Sequence, residues 1–202
     1  MFNVLLFFLG CAQSPLLFRA GADYFPLKID NTWVYSQTEN VVPTDTVTLK
    51  VIKKVVVESR ECWLLERNGC PEYWWKDENR LNKFYSKTIF VNGEEDTIAS
   101  FWITWLYLPL VTGDEWEHIF KEESYIIGDT VKVELKVKGE VVDLENEDYK
   151  VRIRLIENQE SMEFGTHCDT TIYDEWYSPN IGVVRRVYDE TEEKLITYKE
   201  GT

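Results

Sequence analysis

A chain of 202 residues can bury a sizeable core, as one β-rich domain or as two closely packed halves. Hydrophobic residues at 44% and aromatic residues at 14% exclude disorder as its main state. A formal charge of -14 repels phosphate backbones and anionic lipid surfaces, which argues against nucleic acid as a partner and favours cations, although so negative a surface also serves solubility.

The stretch from Met1 to Cys11 is an uncharged apolar run ending in Gly10-Cys11, far too short to span a bilayer as a mature helix. An apolar core ahead of a small residue is what an export signal offers to the translocon and its peptidase. Phe8-Leu9-Gly10-Cys11 resembles the lipobox of bacterial lipoproteins. That resemblance implies a signal peptide over residues 1–10, lipid attachment to Cys11, and a linker over 11–23. A competing reading is secretory cleavage after Ala20-Gly21-Ala22, and a third is an N-terminal core strand.

Beyond the leader, Tyr24-Phe25-Pro26-Leu27 with Asn31 and Trp33 returns in altered form as Tyr107-Leu108-Pro109-Leu110 with Asp114 and Trp116. Scarce residue types recurring in one register predict a duplicated unit, 24–106 and 107–202, within a single compact body. A second echo supports this reading: Glu72 to Lys76 corresponds to Asp174 to Ser178. The second half then carries extra residues, assigned to Gly139–Asp148 and Asn158–Cys168.

Taken in order, a strand opens at Trp33, and a second runs through Val47, Leu49 and Val51 to Val57. Asn68-Gly69 predicts a hairpin of Cys62–Glu66 with Cys70–Trp75, and Asn92-Gly93 one of Arg80–Phe90 with Asp96–Ile103. Ile98 to Val111 is the most apolar internal segment. Its Trp102 and Trp105 are candidates to line a pocket for an apolar or sugar ligand, with core packing as the competing role. After a strand at Trp116–Glu122 come two alternating strands, Val131–Val137 and Tyr149–Leu155, joined by an acidic loop over Gly139–Asp148. Their wet faces carry a basic stripe. Strands at Val183–Tyr188 and Lys194–Tyr198 flank an acidic turn over Asp189–Glu193 and close the chain.

The opening Tyr-Phe-Pro-Leu…Asn-x-Trp-Val-Tyr and the closing Trp-Tyr-Ser-Pro-Asn-Ile-Gly-Val-Val-Arg are similar to those of a broad group of bacterial exported proteins. In that group a "YFPL...G..W.Y" opening and a "W.APGVG.V" close frame an antiparallel β domain. The resemblance implies a fold like the curved sheets of envelope lipoproteins that handle lipidic molecules, and it brings no catalytic residues.

The chemistry expected is sparse. Two histidines, His118 and His167, are few for acid/base work, and no nucleophile elbow, phosphate loop or zinc-binding motif occurs. Neither a cofactor nor a metal site is predicted. Cys62, Cys70 and Cys168 suggest one disulfide and one free thiol in an oxidising compartment. The reading is therefore an all-β, antiparallel protein of two related halves forming a curved sheet, open barrel or sandwich. It is expected at the outer membrane or cell surface through a lipid anchor, or else secreted or periplasmic. It is a non-enzymatic envelope lipoprotein binding an apolar small molecule, alternatively a module engaging an envelope protein, and least of all a carboxylate-dependent glycan hydrolase.

Overall fold

A computed structural model describes residues 22–91, 93–126, 128–162 and 165–201. Residues 1–10, read above as a signal peptide, Cys11 and most of the stretch read as a linker lie outside the described residues. Among the described residues all the regular elements are strands: β1 (Thr32–Glu39), β2 (Val42–Val57), β3 (Arg60–Arg67), β4 (Cys70–Lys76), β5 (Arg80–Val91), β6 (Glu94–Tyr107), β7 (Glu115–Ile126), β8 (Asp129–Glu145), β9 (Asp148–Ser161), β10 (Gly165–Ser178), β11 (Gly182–Tyr188) and β12 (Thr191–Lys199).

They form one antiparallel sheet in the order β6-β5-β4-β3-β2-β1-β12-β11-β10-β9-β8-β7. Two six-stranded meanders thus join where β1 pairs with β12, from Thr32 opposite Lys199 to Glu39 opposite Thr191. The free edges, β6 and β7, come back together and nearly close a barrel. Across that seam side chains replace a ladder: Glu122 accepts from the Ser100 N–H at 2.9 Å, and Ser124 Oγ donates to the Ile98 carbonyl at 2.6 Å. Satisfying edge groups in this way blunts two long edges that would otherwise invite pairing with another chain.

Because the meander is antiparallel throughout, the odd-to-even turns share one end and the even-to-odd turns share the other with both chain ends. The second end is plugged. Tyr24 and Phe25 are buried there, Tyr24 edge-on to Tyr149 at 5.5 Å and Phe25 against Trp74 at 4.9 Å. Leu110, from the segment that enters β7, joins the same cluster. Asn31 ties the plug to the tail, donating to the Pro26 carbonyl at 2.8 Å and accepting from the Gly201 N–H at 2.8 Å.

The two sequence motifs at the ends of the chain meet here. Asp23 and Asn180 exchange bonds, Trp33 Nε1 donates to the Ile181 carbonyl, and Tyr35 donates to the Val183 carbonyl. Gly182 stands at φ +99°, and a Cβ there would sit 3.5 Å from Trp33 Nε1. Opening and close are two halves of one clasp.

Alternation places Val131, Val133, Leu135 and Val137 inside with Val151 and Ile153, as the pattern predicts. The acidic loop does not exist. β8 continues to Glu145 and turns back through Asn146 and Glu147 alone, both at positive φ, because Val141 carries the inward alternation past Gly139. Gly139 is needed inside the strand, since a Cβ would fall 2.0 Å from the Trp116 ring that covers it. The second expected insertion is strand over Asn158–Ser161 and Gly165–Cys168. β9 and β10 each have 14 residues, where the third and fourth strands of the first run, β3 and β4, have 8 and 7. β4 and β10, which carry the second echo, hold the same place in their runs.

The cysteines differ from expectation too. Cys62, Cys70 and Cys168 are all free, Cys62 buried and the others exposed. Cys70 pairs with Arg67 across the Asn68-Gly69 turn while Cys62 pairs with Val55, so the hairpin register keeps the two apart.

Candidate functional site

Most of the basic stripe on β8 and β9 is paired with neighbouring acids. Lys136 and Lys138 both reach Glu117, Lys121 reaches Glu134, and Lys150 and Arg152 share Asp174. β7 and β10 thus supply Glu117 and Asp174 to the basic strands, β7 also lends Lys121 to Glu134 of β8, and the stripe is largely a solvated, paired outer wall.

The unexpected charges are inside. Glu175 on β10, Arg186 on β11 and Glu193 on β12 are successive cross-strand partners, so the pleat turns all three to one face, and that face is the interior. Glu175 and Glu193 are buried and Arg186 nearly so. Arg186 donates to both carboxylates. From strands that are not their neighbours in the sheet, Arg67 on β3 makes a two-oxygen contact with Glu193, and Trp105 on β6 donates its Nε1–H to Glu175 at 2.9 Å. Tyr177 also donates to Glu175. Beside this group Lys83 on β5 pairs with Glu72 on β4 at 3.2 Å and lies over the rings of Trp74 and Trp105. Farther along, Glu157 takes Tyr85 and Lys87.

Burial pushes the Glu175 carboxyl up, but Arg186, Tyr177 and Trp105 together outweigh it and hold it below the ordinary carboxylate range. Glu72 is raised by burial and lowered more strongly by Lys83, Arg186 and Arg67, ending at about 2. Burial also lowers Arg186, yet Glu175, Glu193 and Glu72 carry it well above its usual value. Tyr35, Tyr85 and Tyr177 are all driven up, chiefly by burial. Glu175, Glu72 and Arg186 are fixed in their charged forms and these tyrosines in their neutral form. Such groups do not exchange protons near neutrality.

Sequence reasoning misplaced this constellation. Glu193 falls in the stretch read as an acidic turn, whereas the turn is only Asp189 and Glu190 and β12 begins at Thr191. The available signal was the two-residue spacing from Glu193 to Leu195, which puts an acid on an inward row. Basic residues are therefore not confined to the outer face, nor Trp to the inner one. Arg67, Lys83 and Arg186 are interior, whereas Trp75 carries Arg60 and Arg80 over its ring.

The candidate ligand-lining pair is split. Trp105 is buried, edge-on to Trp74 at 5.9 Å and tilted against Tyr173 at 5.5 Å. Trp102 is half-buried elsewhere, against Phe84 at 5.2 Å and under Arg60. Residues three apart on a strand point to opposite faces, so alternation along β6 puts Trp105 inside with Ile103 and turns Trp102 to the other side. Trp102 Nε1 has no hydrogen-bond partner among the described residues. Trp105→Phe, which strips a donor from a buried carboxylate, is expected to cost about 1.5–3 kcal/mol. Trp102→Phe is expected to cost no more than about 1 kcal/mol, and denaturant titration of the two variants measures the difference.

His118 accepts or donates at 3.1 Å to the Tyr107 hydroxyl across the seam, in a cleft of about 500 Å³ that also includes Pro109 and Trp116. His167 is exposed on β10.

No family model matches the sequence, and no curated protein matches it significantly. Two solved structures are similar in fold. One is a Bacteroides fragilis protein inferred to be exported and described as having a YmcC-like fold, with 12% identity, a TM-score of 0.47, and coverage of 89% of this chain and 100% of that one. The other is an inferred lipoprotein of Parabacteroides distasonis, with 14% identity, a TM-score of 0.46, and coverage of 88% and 99%.

Proposed function

We propose that this chain is a non-enzymatic, lipid-anchored envelope protein that acts as a rigid interaction module. The observation that carries this reading is the paired-charge network occupying the barrel interior. An apolar carrier needs a cavity lined chiefly by hydrophobic side chains. Here the inward rows of β3, β5, β10, β11 and β12 contribute Arg67, Lys83, Glu175, Arg186 and Glu193, and Trp105 is enclosed by protein partners. A glycan hydrolase needs two carboxylates facing each other across a substrate cleft. Glu175 and Glu193 instead share Arg186 in the interior. The lipobox-like setting of Cys11 supports the anchor, and with it a position at the outer membrane or cell surface. Secretion after Ala22 is the alternative.

The mass of the protein extracted from its own host membranes is the test. The expected species begins at a lipid-modified Cys11, and Cys11→Ala moves the folded chain into the soluble fraction. An unmodified Cys11, or an N terminus at Asp23, overturns the anchored reading.

A further inference from the structure

Large apolar side chains are exposed on four of the hairpins at the end opposite the plug. Val41 and Val42 are 92% and 62% exposed between β1 and β2. Phe90 is 76% exposed at the end of β5, Tyr125 76% at the end of β7, and Met162 91% just after β9. The antiparallel order puts these tips on one rim, away from the site where Asp23 enters the barrel. Four of six hairpins carrying knobs of this kind is a pattern that solubility works against. Val41 adds a local cost, since it holds φ +68°, a conformation that β-branched residues avoid.

Each knob is bordered by acid. Exposed Glu39 precedes Val41, Glu95 stands opposite Phe90 in the ladder, Glu123 lies two residues before Tyr125, and Glu160 two before Met162. Lys132, beside Tyr125, pairs with Glu123 at 3.5 Å, and that neutral pair leaves Glu39, Glu95 and Glu160 as the acids that give the rim its sign. An acidic collar of this kind opposes anionic lipid, and it opposes a second copy of the same rim by like-charge repulsion. It matches a protein surface whose apolar depressions are edged by Lys and Arg.

We infer that this rim is a docking surface for a protein partner with a basic-bordered apolar face, presented away from the membrane that holds the chain. The inference rests on the anchored-module reading and names its working end. Apolar knobs supply the affinity once seated, and the collar steers encounter and register.

The test uses the full-length protein in its host envelope, with a photo-reactive phenylalanine at position 90 and, as control, at position 172 on the outer wall. A discrete protein adduct is expected from 90 and not from 172. Its yield falls about tenfold or more in V41N/Y125S/M162S, and falls again as salt rises from about 0.1 to about 0.5 M. The partner peptide it contains should be apolar and flanked by Lys or Arg. Asn suits the positive φ at 41 and the other changes are exposed, so an unchanged melting curve excludes misfolding. An equal adduct from 172, an adduct insensitive to the tip changes or to salt, or no adduct overturns the inference. So does flotation of the purified, unlipidated chain with phosphatidylethanolamine vesicles that the tip changes abolish. The N-terminal mass from the same preparation reports on anchoring separately.

Discussion

Arg186→Met is expected to destabilise the fold by about 3–5 kcal/mol, because it strands the buried Glu175 carboxylate without a compensating charge. Glu193 keeps Arg67, so the loss centres on Glu175. The double variant E175Q/R186M should therefore recover part of the deficit, with a coupling of about 1–3 kcal/mol in the cycle. Additive effects would mean that the two side chains do not act on each other. The network also sets the response to acid. Glu72 and Glu175 have folded pKa values below their ordinary ones, Glu72 at about 2 against 4.5. A depressed carboxylate contributes stability that is fully present above its unfolded value and is lost as pH falls through the folded one. Unfolding midpoints should accordingly be flat near neutrality and decline from about pH 5 toward pH 2. The decline should be shallower in E72Q.

Trp33→Ala is expected to cost about 3–5 kcal/mol, lowering the melting temperature by about 6–20 °C in a chain of this size. Its indole is 1% exposed, stacks on Tyr198 at 5.4 Å and on Phe25 at 6.0 Å, and donates to the Ile181 carbonyl. Removing it opens a cavity under the plug and also cuts the bond that joins the opening of the chain to its close. Trp33→Phe keeps most of the apolar contact and loses the donor, so about 1–2 kcal/mol is expected. Equal losses in both variants would place the effect in the hydrogen bond; a negligible loss in the Ala variant would mean that the clasp does not hold the ends together.

The sheet was readable because one physical rule, alternation on a half-wet strand, governs most of it. Val131 to Val137 and Tyr149 to Ile153 obey that rule, and Asn68-Gly69 marked its turn through the positive φ both residues adopt. Length misled where charge interrupted the pattern. Glu140, Asp143 and Glu145 look like a loop, yet they are the outer and terminal positions of a strand whose inner positions remain apolar. The interior network was hidden for the same reason: a buried Glu is recognisable only with its partners, and Arg67, Trp105 and Glu175 are far apart in sequence and meet only when the barrel curls. Trp102 and Trp105 looked like a pair because they are close in sequence, yet a spacing of three on a strand turns them to opposite faces, and alternation alone separates them. The apolar tips were visible as residues and not as a surface, since only the meander's order puts Val41, Phe90, Tyr125 and Met162 at one end.

That the barrel's inside is structure and its rim is the working surface can be tested most directly by native mass spectrometry of the protein released gently from its own host envelope. The account predicts a chain starting at lipid-bearing Cys11, with no small molecule retained in the barrel and with any bound protein lost in V41N/Y125S/M162S. A copurifying apolar molecule that survives those tip changes and disappears in Trp105→Ala would contradict it.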